Sequence, residues 1–389
     1  MSKVKDVSVQ IRGVSYKPSD LHDLLSDDSV ILLRANNIED DKLNLDDVVY
    51  VDKAKVGDTQ YLRIGDILIC ASSGSKNLVG KATIIKENIT ATFGAFCKVV
   101  RPKNILPAYL GYFFISPIYR ETISNLSAGA NINNIRNEHI DTLEIPIPSN
   151  SIQHQIAATL DKVTHTIDLC NAMLEKLDML VKARFVEMFG DPVTNPKGWK
   201  MVSLGDLTNV GSSKRIFEKE YVESGIPFYR TKEIVELSRG NQITTELFIS
   251  EERYLDIKKQ YGVPKKGDLL ISAVGTIGII WIVDGTNEFY FKDGNLIRVD
   301  GTVRFNSSYM KCLLEYLIDE YKKQMSVGTA FAALTISGLS KMKVYDVPLE
   351  LQQQFATFVE QTDKTKVAVQ KALEKAETLK KALMQEYFG

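Results

Sequence analysis

The stretch Gly74-Ser75-Lys76-Asn77-Leu78-Val79-Gly80-Lys81-Ala82 is the nearest this chain comes to a phosphate-binding loop, in which backbone N–H groups and a lysine cradle a nucleotide. It carries one residue too many between its glycines, and Ala82 stands where a magnesium-binding hydroxyl belongs, so Lys76 and Lys81 read as exposed loop cations. Asp319-Glu320-Tyr321-Lys322 has the acid-x-lysine ending of a nuclease site but falls within an amphipathic pattern, Leu313, Leu314, Leu317 and Tyr321, and reads as a solvated helix face. His22, His139, His154 and His165 have no metal-ligand spacing and no fixed relation to a serine or cysteine. Cys70, Cys97, Cys170 and Cys312 form no Cys-x-x-Cys pair, consistent with reduced thiols. The Pro-Pro-aromatic motif of amino-methyltransferases does not occur, and Asn195-Pro196-Lys197 does not replace it. The chain is expected to catalyse nothing by itself and to need no cofactor or metal.

The surrounding elements carry a clearer signal, because the second half echoes the first at a period of about 200 residues, right for a duplicated domain. Ile31-Leu32-Leu33-Arg34-Ala35-Asn36-Asn37-Ile38 answers to Pro227-Phe228-Tyr229-Arg230-Thr231-Lys232-Glu233-Ile234. Gly65-Asp66 and Gly267-Asp268 each feed an apolar strand, followed by Gly74 and Gly80 or by Gly275 and Gly278. Ser127-Ala128-Gly129-Ala130 matches Ser326-Val327-Gly328-Thr329. Pro148 and Pro348 are each followed by a glutamine-bearing helix start, Gln153 to Gln155 and Gln352 to Gln354. Even the helix ends agree, Glu187-Met188-Phe189-Gly190 with Glu386-Tyr387-Phe388-Gly389.

Apolar residues at Ile156, Leu160, Val163, Ile167, Cys170, Leu174, Leu177 and Val181 step by four and three, a heptad seam in a helix roughly 55 Å long. A second helix has a looser phase, with Phe355, Val359, Thr362, Val369, Leu373, Ala376, Leu383 and Tyr387 interrupted by Lys366 and Lys380. The expected fold is α+β: two similar globular domains, 1–150 and 191–348, each followed by a long α-helix, 151–190 and 349–389, with the helices pairing as an antiparallel coiled-coil spacer and the whole forming a pseudo-two-fold internal repeat. The composition agrees with a globular chain of 389 residues and two domains. With 48 Lys and Arg against 49 Asp and Glu the net charge is −1, which excludes a polybasic nucleic-acid binder. Apolar runs such as Ile277 to Val283 are too short to cross a bilayer, and the charged N-terminus lacks a signal-peptide core, so a cytoplasmic location is expected.

The most specific piece of sequence is Phe189-Gly190-Asp191-Pro192, Asn195-Pro196-Lys197-Gly198-Trp199 and Val202-Ser203-Leu204-Gly205-Asp206. It resembles the junction in specificity subunits of type I restriction-modification systems, where a long helix ends in Phe-Gly-Asp-Pro and the next target-recognition domain opens with Gly-Trp and Leu-Gly-Asp. The proline-then-glutamine helix starts are similar to that family's other recurring element, and the resemblance covers essentially the whole chain. The first repeat departs from it: it enters at Val7-Ser8-Val9-Gln10-Ile11-Arg12-Gly13-Val14 without the Trp or Leu-Gly-Asp, which implies a domain slightly trimmed or an opening strand supplied differently.

The resemblance implies a DNA-reading subunit whose two recognition domains each read half of a bipartite double-stranded target, with the helices setting the gap and docking two methyltransferase subunits and, through them, restriction and translocase subunits. Base and phosphate contacts are then expected from Arg34, Asn36, Asn37, Lys76, Asn77 and Lys81 in the first domain and from Lys214, Arg215, Tyr229, Arg230 and Lys232 in the second. Arg34 and Arg230 occupy equivalent places, for a shared phosphate contact or for satisfying a structural carboxylate. The alternative function is a duplicated coiled-coil adaptor that scaffolds protein partners without reading DNA.

Overall fold

A computed structural model describes residues 1–74, 78–128, 134–325 and 333–389. The chain divides into two compact units, Met1–Ala172 with Gln370–Gly389, and Met173–Val369. The first unit opens with β1 (Ser2–Lys3), α1 (Val4–Val7) and β2 (Ser8–Arg12). It continues with β3 (Leu21–His22), β4 (Ser29–Leu33), β5 (Val49–Asp52), β6 (Ile67–Cys70), β7 (Ala82–Ile84), β8 (Ala91–Phe93) and β9 (Cys97–Pro102). Helices α2 (Pro107–Phe114), α3 (Pro117–Ala128) and α4 (Asn137–Asp141), strand β10 (Glu144–Ile145) and the long α5 (Asn150–Phe189) follow.

The second unit repeats this order with β11 (Met201–Ser203), α6 (Leu204–Leu207), β12 (Val210–Gly211), β13 (Tyr221–Val222), β14 (Ile226–Tyr229), α7 (Thr231–Ser238), β15 (Phe248–Ile249) and α8 (Glu251–Gln260). It closes with β16 (Leu269–Ser272), β17 (Ile280–Ile282), β18 (Tyr290–Phe291), β19 (Leu296–Val299), α9 (Ser307–Met325), α10 (Ile336–Lys341), β20 (Lys343–Tyr345) and α11 (Leu349–Phe388).

The duplication is exact in topology. One four-stranded sheet runs β2-β9-β6-β7 in the first unit and β12-β19-β16-β17 in the second, antiparallel throughout. The other runs β8-β4-β5-β3 and β18-β14-β15-β13, and in both the only parallel pairing is the first. Gly65 and Gly267 turn into β6 and β16 with φ of 90° and 91°, a left-handed conformation that favours glycine. The repeats diverge between matching strands: a short antiparallel pair, Ile38–Glu39 with Lys42–Leu43, follows β4, whereas α7 follows β14 and α8 follows β15.

The first domain opens upstream of Val7, where the sequence reading began it. Ser2 and Lys3 pair with Ile145 and Glu144 as Met201 to Ser203 pair with Tyr345 to Lys343. The N–H of Val4 donates to Leu143 O at 2.9 Å, and that of Leu204 to Met342 O at 3.0 Å. Val4-Lys5-Asp6-Val7 therefore stands where Leu204-Gly205-Asp206-Leu207 does, and the opening strand is supplied by Ser2 and Lys3. What the two turns share is the buried apolar residue at each end, Val4 and Val7 or Leu204 and Leu207, and the aspartate between them, Asp6 or Asp206.

Both glutamine-bearing helix starts are clamps. Gln153, buried, accepts the Leu106 N–H at 3.0 Å and donates to Pro148 O at 3.0 Å. Gln352 accepts the Asn306 N–H at 2.8 Å and donates to Val347 O at 2.9 Å. Each buried primary amide thus satisfies one backbone donor and one backbone acceptor, which no apolar residue can do.

The junction after α5 is a helix C-cap. Gly190 takes φ of 81° and its N–H reaches Val186 O at 2.8 Å. The last carbonyls of the helix would otherwise lack partners. Lys197 Nζ donates to Glu187 O (2.6 Å) and Met188 O (3.0 Å), and Trp199 Nε1 to Phe189 O (2.8 Å). Asn195 both donates to Trp199 O and accepts the Trp199 N–H, holding the indole in place.

The long helices share their cores with both units. In the first, Ile156 and Leu160 of α5 pack in one cluster with Met384 and Phe388 of α11 and with Tyr109, Phe113 and Phe114 of α2. In the second, Phe185 and Phe189 of α5 pack with Phe355 of α11 and Tyr309 of α9. There the pairing is antiparallel: Asp178 meets Lys366, and further along α5 Phe185 meets Phe355 edge-to-face at 5.4 Å. Of the residues expected at the seam, Ile156, Leu160, Leu373 and Ala376 are buried, and Val163, Ile167, Leu174, Leu177, Val181, Val369 and Leu383 are half-buried. At the interruption of the heptad, Arg184 lies over the Phe358 ring at 5.8 Å. Among the described residues no helix is long and apolar enough to cross a membrane.

Candidate nucleic-acid interface

In each unit the parallel strand pair ends in two neighbouring turns. Arg34-Ala35-Asn36-Asn37 leaves β4 beside the turn leaving β8, and the Gly94 N–H donates to Leu33 O at 2.9 Å. Arg230 leaves β14 beside the turn leaving β18, where the Lys292 N–H donates to Tyr229 O at 2.9 Å. Beside these turns stand residues 13–17, 71–74 and Leu78 in the first unit and 212–216 in the second.

The two equivalent arginines each hold a carboxylate of their own unit. Arg34 Nη2 donates to Asp47 Oδ2 at 3.0 Å, while its buried Nε has no partner among the described residues. Arg230 Nη2 donates to Glu233 Oε1 at 2.8 Å, and the Arg230 backbone N–H to Glu233 Oε2 at 2.8 Å. Burial raises the Glu233 pKa, but the hydrogen bonds from Arg230 and the backbone outweigh it and leave the carboxyl below its ordinary value. Of the two roles open to these arginines, the geometry supplies the structural carboxylate.

Asn36 is exposed and donates to Asp47 Oδ2 at 2.8 Å. Asn37 is buried: its oxygen accepts the Arg34 N–H, and its amide donates to Asn44 O and Asp47 O, both at 2.9 Å. No edge of it remains for a base. Lys81 is half-buried beside β7, and Lys76 and Asn77 lie outside the described residues. In the second unit Lys214 is exposed, with Nζ 5.3 Å from the Tyr261 ring centroid, and Lys232 is exposed on α7. Arg215 is exposed but donates to Asp293 Oδ2 at 2.8 Å. Tyr229 is a core residue, corresponding to buried Leu33 and stacked on Phe289 at 4.5 Å, and burial raises its pKa.

A cleft of about 480 Å³ in the first unit brings Arg34 and Asn36 together with Tyr16, Ser72, Leu78 and Phe96. Phe96 is 70% exposed. Neither Tyr16 nor Phe96 was expected from the sequence; the available signal was an aromatic in the turn Gly94-Ala95-Phe96, where polar residues ordinarily stand. A larger cleft of about 1,090 Å³ in the same unit is lined by Asp40, Asp41, Asp161, Asp168 and Glu377 besides Lys42 and Lys380, a sign of charge that repels phosphates. Burial raises the pKa of Asp41 there.

The other chemistry-bearing residues are dispersed. On α9, Lys322 pairs with Asp319 as a solvated helix face does. Burial pushes the Cys70 thiol up to about 11 and that of Cys97 to about 12, which keeps both protonated and unreactive. Among the described residues no group of three or more His, Cys, Asp or Glu could hold a metal ion.

Comparison with known proteins places this architecture. The family described as the type I restriction modification DNA specificity domain matches residues 29–179 and 196–378. The specificity subunit of the type I restriction enzyme StySPI of Salmonella potsdam is 43% identical over 46% of this chain and 39% of its own length. The EcoKI specificity subunit of Escherichia coli is 41% identical over 47% of this chain and 39% of its own length, so the match spans about two-fifths of either relative. The MjaIX specificity subunit of Methanocaldococcus jannaschii is 26% identical over 74% of this chain and 69% of its own. In fold, the S subunit of a type I restriction-modification system from M. genitalium superposes with a TM-score of 0.58 at 17% identity, covering 100% of this chain and 95% of that one. With two matched segments spanning most of its length, one in each repeat, this chain belongs to the family of type I restriction modification DNA specificity domains.

Proposed function

We propose that the chain is the DNA-reading specificity subunit of a type I restriction-modification complex and catalyses no step itself. The observation that carries this reading is one platform built twice, with the same strand order and different residues on the loops at the matching end. A repeated scaffold with non-identical loops is suited to reading two different half-sites of one bipartite DNA target. Phosphate contacts fall to exposed Lys214 and Lys232 in the second domain, and base-edge contacts to the cleft around Asn36 and Phe96 in the first. α5 and α11 set the gap between the half-sites, which for reading from one side of the duplex is about one helical turn, roughly 34–36 Å. Each repeat docks one methyltransferase subunit, and restriction subunits join through them. A net charge of −1 fits a subunit that binds DNA weakly alone and gains phosphate contacts from its partners.

The test is capture of the tagged chain from its host followed by footprinting of the captured complex on DNA. The expected result is an adenine methyltransferase in the complex and two protected segments about one helical turn apart. A methyltransferase-free complex that protects no DNA would instead support the protein-scaffold reading.

A further inference from the structure

The turn after the parallel strands carries an equivalence between the two units that the sequence alone conceals, because one turn is a residue longer than the other. In the first unit the carbonyl of Phe96 accepts the N–H of Ala71, the residue after β6, at 2.9 Å. In the second the carbonyl of Asn295 accepts the N–H of Ala273, the residue after β16, at 2.8 Å. The two alanines are themselves matched: Ala71 O accepts the Ile135 N–H at 2.7 Å, and Ala273 O the Leu334 N–H at 3.0 Å. Phe96 and Asn295 thus stand on one and the same backbone pedestal, each immediately before a buried residue, Cys97 or Leu296.

Only the side chains differ. The Phe96 ring, 70% exposed, forms a wall of the cleft that also holds Tyr16, Arg34 and Asn36. The Asn295 side chain is half-buried and makes no hydrogen bond among the described residues, beside the turn that Arg215 ties down through Asp293. Residues that set the shared architecture should agree between repeats, whereas residues that read different bases should differ on a common support. Arg34 and Arg230 agree and are engaged with carboxylates. Phe96 and Asn295 differ and are not.

We infer that Phe96 and Asn295 are the paired specificity-determining residues of the two domains. Phe96 presents an apolar edge, for which the major groove offers one match, the C5-methyl of thymine. Asn295 presents a donor and an acceptor side by side, the complement of the N7 and N6 edge of adenine. The inference rests on the proposed reading that each domain reads one half-site.

The experiment complements a host strain deleted for this gene with the wild-type chain, Phe96→Ala, Phe96→Asn or Asn295→Ala, and maps methylated adenines across the genome. The wild type is expected to restore one bipartite motif. Phe96→Ala relaxes a single thymine position in one half, with methylation of sites mismatched there rising about tenfold relative to matched sites, and Asn295→Ala relaxes a single adenine position in the other half only. Should Phe96→Ala fail to fold, Phe96→Asn decides, because it installs the second domain's residue on the same turn: a changed base preference at that one position supports the assignment. Alanine variants that keep the wild-type motif unaltered, or that both relax the same half, overturn it while leaving the two-half-site reading in place. A wild-type gene that restores no motif overturns that reading and the inference together.

Discussion

The ring of Phe388, at the end of α11, lies 5.1 Å from that of Tyr109 on α2, in the first unit. Phe189, at the end of α5, lies 4.8 Å from Tyr309 on α9, in the second. Each globular domain therefore anchors the end of the helix that follows the other domain. Chain order by itself shows only one domain and then a helix, twice.

Removing either anchor should be costly. Phe388→Ala vacates a site 4% exposed that also contacts Phe113, and should lower unfolding stability by about 3–5 kcal/mol. Phe189→Ala should cost as much. Denaturant titration of both variants checks this; losses below about 1 kcal/mol would mean that these contacts do not support the core.

Gln153→Leu and Gln352→Leu keep side-chain bulk but leave a backbone N–H and a backbone C=O without their amide partner at each helix start. The expected loss is about 2–4 kcal/mol for each, and a Gln→Glu change, which keeps the acceptor but buries a charge against a carbonyl, should cost at least as much. Thermal unfolding of the four variants supplies the comparison.

The depressed pKa of Glu233 links stability to acidity. Its contribution is fully present above the ordinary glutamate value of 4.5 and is lost as pH falls through the lower folded-state value, because the unfolded chain takes up the proton first. Glu233→Gln should therefore be less stable than the wild type at pH 7, by about 1–3 kcal/mol, with the gap narrowing below pH 4.5. Melting curves between pH 3 and pH 7 test the sign; a gap that widens on acidification contradicts it.

Lys214→Ala and Lys232→Ala should weaken DNA binding by the assembled complex without changing the methylated motif. Each lost phosphate contact should reduce the slope of log K against log salt by about 1. Binding isotherms at several salt concentrations measure this. A change of motif instead would place these lysines at base edges.

The duplication was legible because its landmarks are residues that the backbone itself demands: Gly65 and Gly267 at left-handed φ, and Gln153 and Gln352 satisfying buried groups. The junction motif was legible for the same reason, Lys197 and Trp199 in it capping α5 and Asn195 holding Trp199 in place. The first domain's entry is harder to read because Val4-Lys5-Asp6-Val7 keeps the aspartate and the apolar ends of the turn but neither the leucines nor the glycine. Residue type misled at the site. Asn37 and Tyr229 have the chemistry of base readers, but one holds a turn together and the other lies in the core, and burial cannot be read from a side chain's polarity. Phe96 is not legible as a reader because its ring carries no cation, amide or hydroxyl.

Mapping methylated adenines in the host genome, with this gene intact and with it deleted, tests the central claim most directly. The account predicts that deletion abolishes one bipartite motif with two specified halves about one helical turn apart, and that the intact gene restores it. A methylome identical in the two strains, with the methyltransferase partner expressed, would contradict it.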